Sequence, residues 1–94
     1  MSSLEKKTRP ELALITIFGQ TLTEYMDRED IKPSELSKLV GCSTNAVWFW
    51  RRGAMMPSKD NYNKLCSVLG ASFEMELYSN FADFFFIASN RGVR

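Results

Sequence analysis

The reading of this chain turns on Ile31-Lys32-Pro33-Ser34-Glu35-Leu36-Ser37-Lys38-Leu39-Val40-Gly41-Cys42-Ser43-Thr44-Asn45-Ala46-Val47-Trp48-Phe49-Trp50-Arg51-Arg52-Gly53. Pro33 suits the first position of a helix, where a missing N–H costs nothing, and Glu35 falls in the first turn, where a carboxylate favours the exposed amides. Ile31 and Leu36 have the spacing of a hydrophobic staple across this start, although Lys32 stands where Ser, Thr, Asp or Asn normally caps. Leu36, Leu39 and Val40 form an apolar face, and Gly41 supplies the left-handed residue that ends the helix after about two turns. Ser43 then caps a second helix running to Arg52, with Cys42 and Val47 as its staple pair and Gly53 as its stop. Short helices that cross steeply need apolar or small residues at the crossing. Leu36, Ser37, Val40, Cys42, Val47 and Trp50 fill those places, which is the pattern of a helix-turn-helix.

Upstream, Thr8-Arg9-Pro10-Glu11 has the form of a capping box, and Leu12, Ile15, Phe18, Leu22, Tyr25 and Met26 recur at three- and four-residue steps, interrupted only by Gly19. This predicts a helix over 10–28, followed by a connecting turn in Asp27-Arg28-Glu29-Asp30. Downstream, Met56-Pro57-Ser58 makes a turn, Ser58 caps, and Tyr62, Leu65, Cys66 and Leu69 line a fourth helix that Gly70 closes. Beyond Ala71 two readings stay open. Phe73-Glu74-Met75-Glu76-Leu77 alternates as a strand does, and with Ser79-Asn80 as a turn and the aromatic run 81–87 it suggests a hairpin or single strand. Phe73, Leu77, Phe81, Phe84, Phe85 and Ala88 also follow helical spacing. The ends, 1–7 and 89–94, read as frayed.

The chain's 94 residues leave room for one domain, and its 45% hydrophobic and 24% charged residues are those of a globular chain. So short a chain buries only roughly 60 to 65% of its unfolded surface, so a partner subunit would help it. No apolar run has the ~20 residues of a membrane span and no secretory signal opens the sequence, so a cytoplasmic protein is expected. Histidine is absent, and Cys42 and Cys66 are too few for a zinc site. The commonest general base and the usual partner of a nucleophilic Ser or Cys are therefore missing, and neither an enzyme nor a cofactor is expected. Both cysteines take positions suited to small apolar side chains and read as inert thiols.

A net charge of +1 conceals an asymmetry. From Ile31 to Leu65, Lys32, Lys38, Arg51, Arg52, Lys59 and Lys64 face only Glu35 and Asp60. From Pro10 to Asp30, Arg28 alone opposes five acids, and from Ala71 to Asn90 the only charged residues are the acids Glu74, Glu76 and Asp83. A basic middle between acidic flanks turns one face toward a polyanion, of which nucleic acid is the obvious example.

Residues 12 to about 70 resemble the phage lambda repressor and Cro-like (XRE-type) helix-turn-helix family. The resemblance lies in Ser34-Glu35-Leu36-Ser37-Lys38-Leu39-Val40-Gly41-Cys42-Ser43, in Asn45-Ala46-Val47, in Trp50-Arg51-Arg52-Gly53, in Pro57-Ser58 and in Leu65-Cys66-Ser67-Val68-Leu69-Gly70-Ala71-Ser72. Pro33, Ser37 and Arg51 depart from the family's usual glutamine, alanine and acid. The resemblance implies a mainly α, four- or five-helix DNA-binding domain that acts as a transcriptional regulator, most simply a homodimeric repressor on a palindromic operator. Under that reading 10–70 is the helical DNA-binding core and 71–94 an aromatic tail for dimerisation.

With Val47 and Trp50 turned inward, the opposite side of the recognition helix presents Thr44, Asn45, Trp48, Phe49 and Arg52. Asn45 can pair bidentately with adenine, Thr44 and Trp48 can meet thymine methyls, and Arg52 can reach guanine or phosphate. Phe49 belongs to the same presented set, with a stronger leaning toward packing. Lys32, Ser34, Ser43, Arg51, Lys59 and Asn61 lie near helix starts or in the basic middle and suit phosphate contacts. Solvated helix surface and compensation of the helix dipole are the plainer readings of Thr44, Asn45, Arg51 and Arg52. For Trp48 and Phe49, contact with DNA, contact with a protein at a patch that includes Met55 and Met56, and packing against those methionines or the tail all remain open. A protein-interaction module such as an antitoxin or antirepressor partner is the rival reading. In the tail, Phe73, Leu77, Phe81, Phe84, Phe85 and Phe86 are expected to join two copies, spacing the recognition helices about 34 Å apart; covering the first helix within one subunit is the alternative. Lys6, Lys7 and Arg9 offer a basic arm or a solvated end.

Overall fold

A computed structural model describes residues 9–93, with side chains over 11–87. It contains α1 (Arg9–Glu29), α2 (Pro33–Val40), α3 (Thr44–Arg51), α4 (Lys59–Leu69) and α5 (Ala71–Val93), with no strand among the described residues. The architecture is therefore mainly α. Thr8, Lys6 and Lys7 lie outside the described residues, as does the side chain of Arg9.

The α1 stripe buries Ile15, Phe18, Leu22, Tyr25 and Met26, but Leu12 is exposed. The expected turn at 27–30 is shorter than the sequence suggests. Helix continues through Glu29, and the reversal falls on Asp30, at φ 58. Aspartate tolerates this left-handed conformation better than most residues, and the Ile31 amide closes the corner by donating to the Met26 carbonyl at 2.8 Å. At the start of α2, the Glu35 carboxylate accepts from the Lys32 amide at 2.9 Å. The helix is thus capped from its third residue, which makes up for the missing Ser or Asp at Lys32. Leu36 and Val40 are buried, whereas Leu39, expected on the same face, is exposed.

The tail is helix throughout, which overturns the hairpin and strand readings. Phe73 and Leu77 are fully buried and Met75 between them is exposed, so the apparent alternation is one turn of helix with apolar residues on two sides. Gly70, at φ 93, closes α4 and turns the chain directly into α5. Phe73 and Leu77 share the buried cluster with Phe18, Leu22, Tyr25, Leu36, Val47, Trp50 and Leu65, and so the core does not stop at residue 70. The two residues are closed off from a second copy and hold α5 to its own domain, which corrects their assignment to a dimer seam.

The central element is α1, against which α3 and α5 both pack. The Phe18 ring meets Tyr62 and Phe73 at 6.3 Å, and the Tyr25 ring meets Phe73 edge-on at 5.4 Å. The Tyr25 hydroxyl lies 2.7 Å from Ser72 Oγ and donates to the Leu69 carbonyl at 3.3 Å, satisfying an acceptor at the end of α4. Arg28 pairs with Glu76, and Asn80 donates to buried Thr21 at 2.8 Å, so α5 runs back along α1 in the opposite direction.

Candidate nucleic-acid interface

The turn between α2 and α3 is built from backbone and hydroxyl groups. Gly41 takes φ 85, and the amides of Gly41 and Cys42 both donate to the Ser37 carbonyl, at 2.8 and 3.0 Å. Ser43 caps α3 by accepting from the Ala46 amide at 3.1 Å. Ser37 is buried at the helix crossing and donates its one proton to the Ser34 carbonyl at 2.9 Å. Its oxygen, 3.1 Å from Thr44 Oγ1, must therefore accept from the Thr44 hydroxyl. A serine replaces the expected small apolar residue without leaving a polar group unpaired, and the chain of hydroxyls ties the first turn of α3 to α2.

The far end of α3 docks on α1. Gly19 lies so close that a Cβ there would sit 2.7 Å from the Trp50 carbonyl oxygen and 2.9 Å from the Gly53 nitrogen. Thr23 donates to the Arg51 carbonyl at 3.2 Å, meeting an acceptor left open by the end of the helix. Arg51 reaches Asp27 at 3.2 Å, with only 13% of its side chain exposed. Gly53, at φ 73, then turns the chain away.

Held at both ends, α3 buries Val47 and Trp50 and exposes Thr44, Asn45, Trp48, Phe49 and Arg52, all five of the residues expected on its outer side. Trp48 and Phe49 are 44% and 40% exposed. The Arg51 guanidinium lies 5.1 Å from the centroid of Trp48, and that of Arg52 lies 5.1 Å from Phe49. Both rings therefore carry a cation over one face. Asn45 makes no side-chain hydrogen bond among the described residues, so its amide is available to a partner. Among the described residues, the α5 helix packs on α1 and α4 and makes no contact with α3, and Trp48 and Phe49 stay exposed.

The expected phosphate-binding residues divide. Lys32, Ser34, Ser43 and Lys59 are exposed at the starts of α2, α3 and α4, with Ser43 engaged as a cap. Asn61 is half-buried, and its backbone N–H donates to Ser58 Oγ at 3.1 Å. Arg51 does not belong to the set, because its guanidinium is mostly covered and shared between Asp27 and Trp48. The sequence reading missed Gly19, Thr23 and Asp27, which place α3. Gly19 was the one visible signal, a glycine inside an otherwise regular apolar stripe. Cys42 and Cys66 are free, and burial pushes both thiols up from their ordinary range. The described residues contain no group of three His, Cys, Asp or Glu side chains that could hold a metal, and no helix long and apolar enough to cross a membrane.

Compared with known proteins, the chain matches no family model, no curated sequence and no solved structure.

Proposed function

We propose that the chain is a sequence-specific DNA-binding transcriptional regulator of the lambda repressor and Cro-like type, working as a homodimeric repressor that occupies a palindromic operator and so excludes polymerase. The observation that carries this reading is the exposure, on one side of a rigidly seated α3, of Thr44, Asn45, Trp48, Phe49 and Arg52 behind a glycine turn. Asn45 is the residue best suited to read a base edge, Arg52 adds a cation, and Lys32 and Lys59 suit the phosphates on either side. Selection from a random duplex pool, followed by anisotropy titration, tests the reading. Asn45→Ala is expected to cost about 1 to 3 kcal/mol on the selected site and little on random DNA. Equal losses on both would refute base reading by Asn45.

The exposure of Trp48 and Phe49 beside exposed Met55 and Met56 favours one second reading, a module that binds another protein through this patch. Duplex affinity that falls steeply with salt supports the first reading, while capture of a defined protein partner with no duplex binding supports the second.

A further inference from the structure

The two arginines that end α3 are held in opposite ways. Arg52 is exposed, lies over Phe49 and has no acidic partner among the described residues. Arg51 is gripped by α1 at both backbone and side chain: Thr23 donates to its carbonyl at 3.2 Å, and Asp27 accepts from its guanidinium at 3.2 Å. Thr23 and Asp27 stand four residues apart on one face of α1, so both bonds come from the same side. The guanidinium also lies 5.1 Å from the centroid of the Trp48 ring, and only 13% of the Arg51 side chain is left exposed, against 66% of Asp27. Gly19 and Thr23 already seat the end of α3, and an ion pair with one partner this open adds little to stability. What Asp27 does decide is where the charge of Arg51 is placed.

We propose that Asp27 is a specificity-determining residue of the duplex-binding face that contacts no base: by holding Arg51 against Trp48, it withholds a cation from the phosphates. Phosphate contacts bind every sequence alike, and each adds about 0.9 to the slope of log affinity against log salt. Arg51 follows Trp48 by three residues and so stands at the edge of the side that presents Asn45 and Arg52. A guanidinium released there, with five donors and no carboxylate beside it, is placed to meet a backbone whatever the sequence. With Asp27 in place those donors are turned inward, one face of Trp48 is held, and discrimination is left to the open Asn45 and Arg52. The inference rests on the duplex-binding function proposed above and concerns how that site tells one sequence from another.

The test compares Asp27→Ala with Glu24→Ala in anisotropy titrations of the selected duplex and of random duplex over a range of salt. Glu24 is exposed one turn earlier on α1 and makes no ion pair or side-chain hydrogen bond among the described residues, so its removal changes the net charge equally without touching Arg51. Asp27→Ala is expected to bind random duplex about five- to tenfold more tightly than Glu24→Ala at about 0.1 M salt, with a slope steeper by about 0.9, and to narrow the ratio between selected and random duplex by a similar factor. In the free protein, acrylamide should quench Trp48 more strongly in Asp27→Ala, because the ring has lost its cover. In an Arg51→Met background the two alanine variants should bind random duplex with the same affinity and slope. Equal behaviour of Asp27→Ala and Glu24→Ala with Arg51 present would overturn the proposal, as would an excess that survives in the Arg51→Met background. Weaker binding of both duplexes by Asp27→Ala would overturn it too, since that is the mark of a residue that only supports the fold. A parent that binds no duplex removes the function proposed above and this role together, whereas a parent that discriminates between duplexes no better than its Asp27→Ala variant removes this role alone.

Discussion

At Gly19 two local preferences oppose each other. Alanine is the better helix former by about 1 kcal/mol, so Gly19→Ala should stabilise an isolated α1. Its Cβ, however, would meet the Trp50 carbonyl oxygen and the Gly53 nitrogen, both backbone atoms that cannot move aside without shifting the end of α3. The clash outweighs the propensity, and Gly19→Ala is expected to lower stability by about 1 to 3 kcal/mol in urea unfolding. An unchanged or raised midpoint would show that α3 does not sit this close. The glycine was visible in the sequence as a break in a stripe, but periodicity records which side of a helix is apolar and nothing of how near a neighbouring backbone comes. Arg51 went astray for a related reason. Its place in the basic middle suggested a phosphate contact, yet its partner Asp27 lies 24 residues away, in a stretch that reads as a solvated turn. Lys59→Ala should therefore weaken binding to every duplex alike and reduce the salt slope by about one, if the proposed function holds.

At the scale of the elements, the caps and glycine stops of α2, α3 and α4 were legible because each is a local signal within a few residues. Ser43, Ser58, Gly41 and Gly53 all act where the sequence places them. The outer side of α3 was legible for the same reason: with Val47 and Trp50 buried, helix geometry dictates the remaining faces. The tail was not, because a helix apolar on two sides loses the one-sided periodicity that separates helix from strand. The link between α2 and α3 is testable as a unit. Thr44→Val removes the donor to Ser37 and should cost about 1 kcal/mol, and Ser37→Ala a similar amount. Together they should cost less than the sum, since each already removes the same bond; strict additivity in a double-mutant cycle would mean that the hydroxyls do not meet.

For the whole molecule, the aromatic core sets a limit at high pH. Burial raises the Tyr62 phenol far above its ordinary value of 10.0, helped by hydrogen bonding with Cys66 and Tyr78, and burial also raises the Cys66 thiol from 9.0. The folded state thus prefers the neutral forms. The unfolded chain releases these protons first, so stability should be level below about pH 9 and fall as pH rises through and beyond 10. Tyr62→Phe should flatten the upper part of that fall in thermal melts taken across the alkaline range, and an unaltered slope would contradict the burial of the phenol.

The two indoles of α3 stand two residues apart and in opposite surroundings, Trp50 sealed within the core and Trp48 open beneath Arg51. The helix thereby contains a matched pair of optical probes that need no label. Iodide or acrylamide should dim Trp48 and spare Trp50, so loss of quenching would report a ligand arriving on the helix, and a red shift of the protected emission would report unfolding. One spectrum can then separate occupancy from denaturation, whichever macromolecule is the partner.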